Sequence, residues 1–147
     1  MVTPARTGAV LLQATTIGVE IVLGLSAIYG GVGLLTGAVA MPDTWLEGTP
    51  LGSGPVPGLA LLLLLAVPMI GAIVAEVNGW PRAPVASAAA GLLQVGSIAV
   101  ELLVMHRFDP LQPVVLALAT VLLAAVGLRL RSWPSRVRLG NGTGPTH

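Results

Sequence analysis

Four apolar stretches, about Gly8–Ala40, Gly58–Val77, Pro84–Met105 and Leu111–Leu130, constrain this chain more than any other feature of its sequence. A helix rises about 1.5 Å per residue, so roughly 20 apolar residues cross a hydrocarbon core about 30 Å thick. Each stretch meets that length. In lipid every backbone donor and acceptor must be satisfied inside the protein, so each stretch is expected to be a helix. Composition agrees: 54% of the residues are hydrophobic and 9% are charged, whereas a soluble domain carries about 25% charged residues. The expected fold is all-α, an integral membrane four-helix bundle over residues 1–131. A basic, disordered cytoplasmic tail is expected at 132–147. The bilayer is the first partner.

Several function classes fall away. The chain has no cysteine, which removes disulfides, thiolate metal sites and paired-cysteine redox chemistry. A net charge of +1 without a basic cluster argues against nucleic acid. No metal site or cofactor is expected. The first apolar stretch runs about twice the length of a signal-peptide core and reads as a membrane span.

Arginine placement predicts the topology. Arg6 precedes the first helix, Arg82 separates the second from the third, and Arg129, Arg131, Arg136 and Arg138 close the chain. The loop between the first two helices carries Asp43 and Glu47 alone. Both termini are therefore expected in the cytoplasm of a multi-pass cell-membrane protein. Trp45, Trp80 and Trp133 fall just outside the spans, at the depth indole rings favour. Pro68 is expected to kink the second helix. The spacing of Gly33 and Gly37 suits close helix approach, and the glycines from Gly30 to Gly37 could break the first helix. Glu76 and Asn78 read as side chains snorkelling at the cytoplasmic interface. His106, Arg107 and Asp109 form a polar cluster at the opposite rim.

The first and third helices share a pattern. Leu11-Leu12-Gln13-Ala14-Thr15-Thr16-Ile17-Gly18-Val19-Glu20 aligns without gaps on Leu92-Leu93-Gln94-Val95-Gly96-Ser97-Ile98-Ala99-Val100-Glu101. Gln, a hydroxyl residue and Glu recur at i, i+3 and i+7, a spacing that puts all three on one helix face. A duplicated two-helix hairpin with an axis along the membrane normal follows from this match. Such an axis would turn the two faces together and bring Glu20 and Glu101 to the same depth.

Ionisable groups inside a membrane are expensive and mark functional sites by default. Glu20 and Glu101 are therefore the candidate catalytic pair, expected to share one proton as donor and acceptor. Gln13, Thr16, Gln94 and Ser97 are the candidate substrate-binding groups, with Tyr29 lining the cavity above them. The alternative is structural: polar faces that only pack helices through interhelical hydrogen bonds, as in a non-catalytic membrane subunit. A homo-oligomer or a membrane partner stays open, and a transporter would need the former.

The block Glu20–Gly37, the loop Met41–Pro50, the start Pro57-Gly58-Leu59 and the step Leu111-Gln112-Pro113 resemble a group of small four-helix bacterial membrane proteins of DoxX-like layout. The group is similar to membrane-bound terpene cyclases of indole- and dipeptide-sesquiterpene (drimentine-type) pathways. The resemblance covers about residues 8–128. It implies a cyclase or isomerase that protonates a lipophilic prenylated small molecule and quenches the resulting cation, with Glu20 and Glu101 as acid and base.

Overall fold

The computed structural model describes residues 4–39, 55–105 and 111–131. Within them the chain forms four helices long and apolar enough to cross a membrane: α1 (Pro4–Thr36), α2 (Val56–Val77), α3 (Ala83–Met105) and α4 (Gln112–Arg131). The fold is an all-α four-helix bundle, and its surface fits contact with a lipid bilayer. The tail, Trp45, Trp133, the loop Met41–Pro50 and the cluster His106–Asp109 lie outside the described residues.

The helices run up and down, and each packs against its neighbours around a ring in the order α1, α2, α3, α4 and back to α1. The first and third helices stand on one diagonal of that ring. Its interior is narrow and built of small residues. Ala72, Ala90 and Ala119 are buried with Leu23, Met69, Leu122 and Val126, while Leu63, Leu64, Leu92 and Leu103 face outward. Polar Thr16, Glu20, Glu76, Ser87 and Gln94 are buried inside. Large apolar groups outside and polar groups inside invert the soluble pattern, as a hydrocarbon solvent requires.

Local chemistry sets the helix ends. Gly37 takes φ +72 after the last turn of α1, a left-handed conformation open to glycine. α1 runs unbroken to Thr36, so its glycines do not interrupt it. Gly79, at φ +65, ends α2. Its amide donates to the Glu76 carbonyl and the Trp80 amide to that of Ala75, the paired bonds of a Schellman cap. The Ala83 amide then donates to the Trp80 carbonyl, so α3 starts after a tight turn.

Pro68 leaves a different mark from the one expected. Leu62–Ala66 winds as one π-helical turn, with the Val67 amide donating to the Leu62 carbonyl. Proline supplies no amide hydrogen and its ring crowds the carbonyl four residues back. Widening the preceding turn relieves that crowding without interrupting the span. Close helix approach occurs one glycine earlier than expected. A Cβ on Gly58 would lie 2.7 Å from the Gly31 carbonyl oxygen, and one on Gly31 would lie 2.6 Å from Leu62 Cγ. Gly33 instead faces Val39 of its own helix end.

Candidate functional site

At the end of the bundle that holds the α2–α3 turn, all four helices contribute a polar side chain. Glu76 sits in the last turn of α2 and is 1% exposed. Arg129, in the last turn of α4, donates from Nη1 to Glu76 Oε1 at 2.6 Å. Ser87, one turn into α3, donates from Oγ to the same oxygen at 3.3 Å. Gln13 of α1 donates from Nε2 to the Glu76 backbone carbonyl at 3.3 Å. A cation near the C-terminus of a helix is also favoured by the helix dipole. The buried pair offsets its desolvation through these extra hydrogen bonds, the condition under which such pairs persist.

Glu20 lies deeper on α1 and is fully buried. Neither of its carboxyl oxygens has a hydrogen-bond partner among the described residues. Ser87, Glu76 and Arg129 all act on it electrostatically. Its other surroundings are apolar, with Val19 and Leu23 packed into the main core cluster beside Met69 and Leu122. A carboxyl in that setting is costly to ionise and exposed to no competing donor.

An open cleft of about 480 Å³ reaches this cluster from the end of the bundle. Gln13, Glu76 and Arg129 line it together with apolar residues of α1 and the α2–α3 turn. Trp80 stands at its edge and is exposed.

The candidates named from sequence separate into two groups. The α1 face behaves as its spacing implies: Thr16 and Glu20 are buried and Gln13 is half-buried. Thr16 donates back to the Leu12 carbonyl of its own helix at 2.8 Å. On α3, Gln94 is buried, while Ser97 and Glu101 are half-buried. Ser97 donates to the Gln94 carbonyl at 2.8 Å.

The expected meeting of Glu20 with Glu101 does not occur. Their helices are diagonal in the ring, and their depths differ. Ser87 is level with Glu76, and Glu101 lies roughly 21 Å farther along α3. Gly91 packs on Leu122 and Leu123, a register that brings Glu101 level with the start of α4. The repeated triplets of α1 and α3 thus sit at different heights. Tyr29 also departs from expectation: it is 77% exposed on the outer surface, so it lines no interior cavity.

Glu76, Ser87 and Arg129 are the members that sequence reasoning missed. Glu76 is not a snorkelling side chain, because its partner arrives from α4. The available signal was the presence of opposite charges inside two spans at the same end of the bundle. No protein-family model matches the chain, and neither does a curated protein or a solved structure.

Proposed function

We propose that this chain is a membrane-embedded acid–base enzyme acting on a lipophilic substrate, with Glu20 as the group that gives and takes the proton. One observation carries the reading: a fully buried carboxyl without a hydrogen-bond partner stands beside the Glu76–Arg129 pair, behind an open cleft. Intramembrane carboxyls are retained at a cost of about 2.5–3.5 kcal/mol on insertion scales. A group that only packed helices would spend its oxygens on donors, as Glu76 does.

Glu76 and Ser87 supply a route for protons between the cleft and Glu20. The Ser87 hydroxyl can pass its hydrogen to the Glu20 carboxylate and take one from a protonated Glu76. For a prenylated substrate, neutral Glu20 adds its proton to a carbon–carbon double bond, and the carbocation closes on a second double bond. Loss of a ring-adjacent proton to the Glu20 carboxylate restores the enzyme, so the net change is an isomerisation without a co-reactant. Proton-initiated cyclisation of an isoprenoid is the reaction implied by the resemblance above.

The experiment replaces Glu20 by Gln, which keeps the volume and removes the transferable proton. Product formation from prenylated substrates in membranes should fall about 10²–10⁴-fold at equal expression, the usual worth of a positioned acid–base group. Near-normal turnover would defeat the enzymatic reading. It would leave a non-catalytic membrane subunit, which the ties from Glu76 to three other helices favour.

We also infer that both termini face the cytoplasm, since Arg82, Arg129 and Arg131 gather at the terminal end of the bundle. A reporter fused after Arg138 should be active only inside the cell, and one inserted at Gly52 only outside. The reverse pattern would invert the assignment.

A further inference from the structure

The cleft has a chemical bias of its own. Val10 and Pro84 give it apolar walls, Trp80 an aromatic edge, and Gln13, Glu76 and Arg129 a polar floor. Its volume suits one small ligand better than a two-tailed lipid. On that floor the Arg129 charge is already matched by Glu76 Oε1 at 2.6 Å. The second oxygen, Glu76 Oε2, is buried and has no hydrogen-bond partner among the described residues. The other buried side-chain atoms in that condition are both oxygens of Glu20 and Oε1 of Gln94. All are acceptors. With Glu20 ionised, the Glu20–Glu76–Arg129 cluster carries one net negative charge, the sum of two carboxylates and one guanidinium.

A ligand head that fits such a floor brings hydrogen-bond donors, and a positive charge strengthens the fit. A phosphate or diphosphate head brings only acceptors and negative charge, and would have to break the Glu76–Arg129 pair to find a cation. We propose that the cleft binds the head of a single-chain amphiphile that donates hydrogen bonds, ammonium ahead of hydroxyl, and that it rejects phosphate. This rests on the acid–base reading only for what happens to the bound molecule. It narrows the substrate class to lipophilic amines and alcohols and removes prenyl phosphates and diphosphates.

The test uses full-length protein in phosphatidylcholine nanodiscs, with Trp45 and Trp133 replaced by Phe so that Trp80 reports binding. Dodecylammonium, dodecanol and dodecyl phosphate share one tail and differ in the head. The ammonium should bind about tenfold tighter than the phosphate, with the alcohol between, as one charge-assisted hydrogen bond implies. Glu76→Gln should reverse that order, because Arg129 is released to meet the phosphate. The double variant Glu76→Gln/Arg129→Gln leaves no buried charge unpaired and should prefer neither charged head, which separates recognition from misfolding. Equal or tighter phosphate binding by the parent would overturn the proposal, as would an unchanged order in Glu76→Gln. Replacing the lipid by phosphatidylethanolamine should leave dodecylammonium binding intact. Loss of that binding would identify a bilayer headgroup as the occupant and end the single-chain assignment. Head selectivity in the expected order, together with normal turnover by Glu20→Gln, would keep this inference and remove the enzymatic one.

Discussion

The two ends of the bundle hold together by different physics. At the α2–α3 turn, α1, α3 and α4 converge on Glu76 through Gln13, Ser87 and Arg129. At the other end, α1 and α2 meet through Gly31 and Gly58, with backbone against backbone. Neither end relies on a driving force to hide apolar side chains, because lipid tails are as apolar as leucine. One end uses ion pairing and hydrogen bonds in a medium without water. The other uses the dispersion contacts that small residues permit. The difference also assigns roles: close glycine packing leaves no space for a ligand, whereas the polar end leaves a cleft.

The sharpest way to break this comparison is to remove the cation. Arg129→Met strands the Glu76 carboxylate in a buried site, and unfolding in detergent should show a loss of about 3–5 kcal/mol. Adding Glu76→Gln to that variant should recover most of the loss, because no buried charge then stays unpaired. An unaffected single variant would mean that the pair contributes nothing and that the ends do not differ in kind.

The glycine end should respond to a single carbon. Gly58→Ala pushes a methyl group to within 2.7 Å of the Gly31 carbonyl oxygen, and backbone cannot yield as a side-chain tip does. A loss of about 1–3 kcal/mol is expected from overpacking. Gly18→Ala is the control, since a Cβ there meets nothing within 4 Å. It should be neutral, or stabilising by up to about 1 kcal/mol through helix propensity. Equal effects at the two positions would remove the close approach as a cause.

The smallest effect separates the two glutamates. Glu101→Gln, at the far end of α3, should leave prenyl turnover within about threefold, well short of the loss expected when a positioned acid–base group is removed. A loss matching that of Glu20→Gln would return Glu101 to the reacting centre and show that the ends communicate.

The inward face of α1 was legible because helical periodicity alone aligns Gln13, Thr16 and Glu20. The partner of that face was not. The Gln–hydroxyl–Glu match between the first and third helices pointed to each other's carboxylates, yet a ring of four antiparallel helices makes alternate helices diagonal. A shared motif also carries no information about depth, which depends on where each helix begins and how it registers with its neighbours. Gly91 settles between Leu122 and Leu123, and that contact moves Glu101 to the far end. Tyr29 shows the same limit, since nine residues beyond Glu20 the helix has turned the ring outward.

By itself, then, the amino-acid sequence determined four membrane-length helices. Span length follows from bilayer thickness, and helicity from the need to satisfy backbone groups in hydrocarbon; both are properties of consecutive residues. Tertiary structure alone decided that Glu76 of α2 meets Arg129 of α4, 53 positions along the chain, while Glu20 is left without a donor. Pairing of that kind depends on which helices are adjacent and at what height they lock, and those are set by side-chain packing between segments rather than by the order of residues within one.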